Sequence, residues 1–301
     1  MRLNTCIKFS CNIDSLYAIF FCVWIVFYSQ QAWSQTDSSP AEIKRIITLA
    51  PHLTEIVYSA GAGDKLVGVV NYSDYPETAQ KLPIVGDHHA LNLEAIIALK
   101  PDLILGWKSG NRLQDSERLA ALGLNLFESE VTTLNDIPDL IERIGQLSGT
   151  QSIAKAEAQS LRQLLTSLQQ RYGSKTPVSV FYQIWNQPLI TMGKEQFISQ
   201  GIALCGGRNL FSDLPSLTAE VAMETVLARN PHVILLGGQK SFQQAWLQSW
   251  RRYPTLKAVK RQQIYLLNNN LYQRPTARFV RALEPLCDLL DQARKAYDLP
   301  P

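Results

Sequence analysis

The sequence predicts an α/β protein of two similar Rossmann-like lobes with mostly parallel sheets, joined by one long helix and facing each other across a cleft. Three observations support that expectation. Residues 92–107, N-L-E-A-I-I-A-L-K-P-D-L-I-L-G-W, return at 222–237 as A-M-E-T-V-L-A-R-N-P-H-V-I-L-L-G. Residues 151–172 contain neither Pro nor Gly and hold Leu161, Leu164, Leu165, Leu168 and Tyr172 at helical spacing. Aromatic residues close several strand-like runs in both halves.

In the repeat, Glu94 matches Glu224, Ala98 matches Ala228, Pro101 matches Pro231, and Ile104-Leu105 matches Ile234-Leu235. Each copy reads as a short helix with one apolar face (Leu93, Ile96, Ile97; Met223, Val226, Leu227). Proline cannot continue the helix, and the unbroken apolar run that follows suits a parallel strand buried on both faces. Two copies of such a unit imply two related lobes.

Taken from its start, the 301-residue chain opens on a targeting segment. Arg2 and Lys8 precede an apolar run at 16–28, and Ala32-Trp33-Ser34 resembles a small-x-small cleavage site. The run is shorter than the roughly 20 residues a membrane span needs. Residues 1–34 are therefore expected to be a signal peptide removed on export to the periplasm, which lowers the formal charge from +3 to +2. Hydrophobic residues at 46% and charged ones at 18% fit a globular chain, not a disordered one. No Lys/Arg run exists to form a nucleic-acid stripe. Cys6, Cys11 and Cys22 leave with the signal, and Cys205 and Cys287 remain. In an oxidising compartment an even remainder reads as a disulfide, with two buried free thiols as the alternative.

The N-terminal lobe is placed at 43–149. A strand at 44–50 leads to a helix from Pro51 to Gly61-Ala62-Gly63. These glycines lack the third position and the strand-to-helix context of a dinucleotide fingerprint, so helix termination is their expected role. A strand at 66–70, a polar aromatic loop (Asn71-Tyr72-Ser73-Asp74-Tyr75-Pro76), Gly86-Asp87-His88-His89 and the first repeat follow. A helix at 114–122, a strand at 124–127 and a helix at 137–147 complete the lobe. The connecting helix is placed at 150–173, and its uninterrupted stretch 151–172 would be a rod of about 33 Å at ~1.5 Å per residue. The C-terminal lobe, 174–298, restarts with a strand at 178–183 and a helix at 197–204. A Cys205-Gly-Gly turn, the second repeat and a strand at 264–267 follow.

Catalytic motifs are missing: no Gly-x-Ser-x-Gly, Walker loop, Cys-x-x-Cys or His-Glu-x-x-His occurs. His232 stands where the first repeat has Asp102, which points to structure. The pair His88-His89 falls short of the three or four convergent ligands a metal site requires. In open parallel sheets, ligands sit outside the carboxyl ends of strands. Tyr72, Tyr75, Trp107, Trp185 and Tyr272 follow or close strands and would wall a cleft with flat apolar surfaces, suited to a large planar ligand.

Several segments then carry a resemblance: Arg45-Ile-Ile-Thr-Leu-Ala-Pro, Val67-Gly-Val-Val-Asn-Tyr-Ser-Asp-Tyr-Pro, Asn92-Leu-Glu with Ala-Leu-Lys-Pro-Asp-Leu, Gly193-Lys-Glu, Cys205-Gly-Gly and Val226-Leu-Ala-Arg. Together they resemble the vitamin B12 (cobalamin) periplasmic binding proteins of ABC importers, within the wider group of metal-chelate, haem and siderophore binders. The likeness runs from about Ile43 to Leu290. It implies two α/β lobes on one rigid helix, with a corrinoid held between them as transported ligand. It implies no resident cofactor or metal, and a monomer when free. Contacts to the ligand are implied for Tyr72, Trp107 and the loop Asn270-Leu271-Tyr272-Gln273-Arg274, and strand-end position adds Trp185. His88 and Thr218 replace two family tryptophans, His88 offering a polar contact or an imidazole for cobalt, and Asn270 replaces the loop's acid. The resemblance further implies that Cys205 pairs with Cys287, and that Glu94 and Glu224 dock on arginines of the permease dimer in the inner membrane. A haem, siderophore or other chelate is the nearest rival ligand. A secreted α/β enzyme using His88 and His89 lacks any nucleophile–base pair.

Overall fold

The computed structural model describes residues 42–300, and the expected signal peptide lies outside them. The first half runs β1 (Ile46–Thr48), α1 (Pro51–Ser59), β2 (Leu66–Gly68), α2 (Leu93–Ala98), β3 (Leu103–Trp107), α3 (Leu113–Ala121), β4 (Leu126–Ser129) and α4 (Asp136–Ser148). Its strands pair in the order β2-β1-β3-β4, all parallel. Ile46, Ile47, Leu103, Ile104 and Leu105 are buried, as continuous apolar strands covered on both faces must be. Gly61, at φ 77°, ends α1 in the left-handed conformation that glycine adopts at least cost.

Helix α5 (Gln151–Tyr172) matches the expected rod, and its narrow stripe of Ala154, Ala158, Leu161, Leu165, Leu168 and Tyr172 is buried. It packs on α4 and on the C-terminal helix. The approach to α4 depends on Gly145, where an added Cβ would lie 2.2 Å from that of Ala154.

The second half contains β5 (Val178–Trp185), β6 (Ile190–Met192), α6 (Phe197–Leu204), β7 (Gly207–Asn209), β8 (Thr218–Glu220), α7 (Met223–Arg229), β9 (Val233–Leu236), α8 (Lys240–Arg251), α9 (Lys257–Lys260), β10 (Ile264–Leu266), α10 (Asn269–Tyr272) and α11 (Ala277–Ala296). Its sheet is mixed. Strands β10, β9, β5 and β7 run parallel, while β6 and β8 add an antiparallel edge. At three residues each, β6 and β8 are too short to show a periodicity in sequence. Cys205 and Cys287 form a disulfide across 82 positions, tying the end of α6 to α11. Buried Arg294 fastens the far end of α11, donating to the carbonyls of Thr176 and Gly206.

Candidate functional site between the lobes

A cleft of about 700 Å³ lies between the lobes. Its N-terminal wall comes from the carboxyl ends of β1 and β3, with Pro51 and His52 starting α1 and Trp107 ending β3. Glu195, Gln196 and Phe197 at the start of α6, Leu217, and Gln273-Arg274-Pro275 before α11 form the other side.

Trp107 is 37% exposed and its ring is fixed from several directions. Its indole Nε1 donates to Glu130 Oε1 at 3.1 Å, while Glu130 Oε2 accepts the Ser109 backbone N–H at 2.9 Å. Gly110 lies so close that a Cβ there would overlap the indole. The His52 imidazole meets Trp107 edge to face, with centroids 5.1 Å apart and planes at 87°. Burial, and then the positive charge of Arg274, lower the His52 pKa to about 3, so this imidazole is neutral.

Beside the cleft the lobes are bridged by charge. Glu55, 2% exposed on α1, accepts from Arg274 Nη1 at 3.1 Å and from Arg278 Nη2 and Nε at 2.7 and 2.8 Å. Arg274 also donates to Asp74 Oδ1 at 2.5 Å and to the Tyr72 carbonyl at 3.0 Å, and Asn270 Nδ2 donates to Asp74 Oδ2 at 2.7 Å. The Arg278 guanidinium lies 3.7 Å over the Tyr75 ring. A second bridge uses Gln200 of α6, which donates to the Thr132 carbonyl at 2.6 Å and accepts from the Leu134 N–H at 3.2 Å.

Of the residues expected to meet a ligand, Trp107, Gln273 and Arg274 line the cleft. Asn270 and Tyr72 join them through the bridge. The Tyr72 side chain, 72% exposed at φ 67°, borders a smaller hollow of about 200 Å³ with Asp74. His88 lies elsewhere, exposed with its ring 3.8 Å from that of His89. That loop is shaped by Asp87, whose carboxylate accepts the N–H groups of His89 and Ala90 and is thereby held below the usual carboxylate range. Trp185 packs edge-on against Phe242 and Trp246 at 5.7 and 6.1 Å. Residues 270–272, expected as part of the loop 270–274, belong to the short helix α10. This turns Tyr272 inward, where its hydroxyl donates to the Ala282 carbonyl at 3.0 Å and burial pushes its pKa up to about 12. Leu271 packs against the same core. Among the described residues no cluster of three or more His, Cys, Asp or Glu forms a metal site.

His52, Glu55, Glu130 and Phe197 are site residues that the sequence reading passed over. The strand-end rule, applied to β1 for polar as well as aromatic residues, reaches His52. Glu94 and Glu224 are exposed on α2 and α7, and among the described residues neither forms an ion pair.

The sequence profile of a periplasmic binding protein family covers residues 46–271. The chain belongs to that family. It is 38% identical over 258 residues to the vitamin B12-binding protein of Vibrio cholerae serotype O1 (strain ATCC 39541), spanning 86% of this chain and 93% of the relative. The crystal structure of the periplasmic vitamin B12 binding protein BtuF of Vibrio cholerae matches with a TM-score of 0.76 at 38% identity, over 84% of this chain and 98% of that one. The periplasmic haem-binding protein RhuT from Roseiflexus sp. RS-1 reaches a TM-score of 0.73 at 22% identity, over 83% and 99% of the two chains, a likeness of fold alone.

Proposed function

We propose that this chain captures vitamin B12 or a related corrinoid in the inter-lobe cleft and delivers it to the permease of an ABC importer. The supporting observation is the near-complete 38% likeness to a vitamin B12-binding protein, joined to a cleft whose wall is a fixed indole. In this reading the lobes span 43–149 and 174–298, joined by the helix at 150–173, and the mature protein works in the periplasm after loss of residues 1–34. The corrinoid is cargo, and the protein binds without catalysing. Trp107, Gln273 and Arg274 are the first contacts, with Tyr72 and Asn270 beside them. Glu94 and Glu224 present one carboxylate per lobe to basic pockets of a two-subunit permease.

Titration of purified protein tests this directly. Cyanocobalamin should bind one per chain and quench tryptophan emission through Trp107, and hemin should bind more weakly. A flat response to cyanocobalamin and to dicyanocobinamide would overturn the corrinoid assignment.

A further inference from the structure

His52 is a polar side chain set into the cleft wall. It is 5% exposed and lines the wall beside Trp107 and Arg274, yet among the described residues nothing hydrogen-bonds its ring. Its neighbours on and around α1 are satisfied. Thr48 and Thr54 share a hydrogen bond of 2.7 Å, and Thr54 donates to Ser73 at 3.1 Å. Glu55, the acid three positions on, takes bonds from two arginines. The His52 ring nitrogens are not fully enclosed and keep an opening toward the cleft. There a bound ligand can supply the partner that the protein does not.

The chemistry of that partner follows from the imidazole's state. Being neutral, it offers one N–H and one lone pair, and no positive charge. Arg274, the cation beside the imidazole, is already matched by Glu55 and Asp74, and Lys108, the other cation of the cleft lining, is exposed to solvent. A primary carboxamide, which both accepts and donates, is the complementary group. The imidazole stands perpendicular to Trp107 and beside it, where the rim of a flat ligand stacked on the indole would lie, and not its centre.

Resting on the corrinoid reading above, we propose that His52 hydrogen-bonds a carboxamide on the rim of the bound corrinoid and so favours amide-bearing over carboxylate-bearing macrocycles. The test compares dicyanocobinamide, whose rim carries amides, with dicyanocobyrinic acid, whose rim carries carboxylates, by calorimetry on wild type, His52→Leu and His52→Gln. Wild type should prefer the amide compound by about tenfold or more, the scale of one buried hydrogen-bonding group. His52→Leu should lose most of that preference and His52→Gln keep most of it, with cooperative melting checked for both. Absorption bands of aquocobinamide should be the same on wild type and on His52→Leu. Equal wild-type affinity for the two compounds overturns the inference without needing either variant to fold. Bands that shift on wild type and revert in His52→Leu also overturn it, because they would put the imidazole on cobalt. A wild type that binds neither compound nor cyanocobalamin sinks the corrinoid reading itself.

Discussion

One position after the helix-ending proline, the N-terminal lobe carries Asp102 and the C-terminal lobe carries His232. Asp102 Oδ2 accepts the backbone N–H groups of Lys44 and Arg45 at 2.8 and 2.9 Å, just before β1. His232 Nδ1 accepts the Ser179 N–H at 3.2 Å, in β5. The main chain repeats the pattern, since Asp102 N donates to the Arg45 carbonyl at 2.8 Å and His232 N to the Ser179 carbonyl at 3.0 Å. Each repeat is therefore stitched to the first strand of its own sheet, by a carboxylate in one lobe and an imidazole in the other. Burial and the charge of Lys257 lower the His232 pKa and keep that ring an acceptor. From residue 91 to 96 and from 221 to 226 the burial pattern is identical, position by position. The pattern of apolar residues carries the fold, and the polar residue that closes the stitch is free to change.

The lobes differ in what locks them. The C-terminal lobe has the Cys205–Cys287 disulfide and buried Arg294. The N-terminal lobe has neither among its described residues, and its α1 is held from outside by arginines of the other half meeting at Glu55. If that contrast is right, Glu55→Ala should be the most damaging single change, because it leaves two partly buried guanidinium groups short of a partner. About 4 kcal/mol is expected on the scale for breaking buried pairs, read from urea unfolding. A loss below about 1 kcal/mol would mean that Asp74 and solvent suffice.

Joint replacement of Cys205 and Cys287 by Ala should cost less, about 3 kcal/mol, because it releases a long loop in the unfolded chain while keeping a packed core. Hydrogen exchange should then quicken in α6 and α11 and stay unchanged in the N-terminal sheet. Uniform acceleration across both lobes would show that the disulfide locks the whole molecule.

Much of this architecture is legible in the sequence, and what is missing has physical causes. The repeat, its prolines and the apolar runs specify β3, β9 and the helices before them. A glycine-free stretch with one leucine stripe specifies α5. Strand β6 depends on pairing with β5 and β8 on pairing with β6, and both carry too few residues to announce themselves. Helix α8 holds Phe242, Trp246 and Trp250 at intervals of four, but polar residues surround them. The cleft is half legible. Trp107 follows from its place at a strand end, whereas Glu55 becomes a site residue only through arginines 219 and 223 positions away. Tyr272 shows the limit of the aromatic rule, since α10 turns its ring into the core.

The residue before each proline sharpens the comparison with a smaller effect. Lys100 and Asn230 are equivalent, and both take positive φ, 44° and 45°. Asparagine tolerates the left-handed region better than lysine does. Asn230 also accepts the Lys257 N–H at 2.8 Å through its side chain. Lys100→Asn should therefore stabilise the N-terminal lobe by about 0.5–1 kcal/mol, seen as a higher melting temperature. A lower melting temperature would mean that the lysine stem contributes packing the C-terminal copy lacks.

The smallest effect on the free protein belongs to the pair that the repeat keeps unchanged. Glu94 and Glu224 each sit in the first turn of a short exposed helix, where a carboxylate gains only ~0.3–1 kcal/mol from the helix N-terminus. That gain explains either residue alone. It does not explain identity at the same position when the neighbours have diverged, Asn92 to Ala222 and Leu93 to Met223, and when only Asn92 caps its helix, accepting the Ala95 N–H at 3.0 Å. Both carboxylates are exposed, as the external partner proposed for them requires. A two-subunit permease with one basic pocket per subunit fits that arrangement, since related lobes present equivalent groups to related subunits. Glu94→Lys with Glu224→Lys should shift melting by no more than the two helix terms and leave corrinoid affinity unchanged. Binding to permease in nanodiscs should be lost, because both attractions become repulsions, and wild-type binding should weaken with salt. A single reversal should fall between the two, since one lobe would still dock. Wild-type docking by the double variant would show that the two glutamates serve their helices alone.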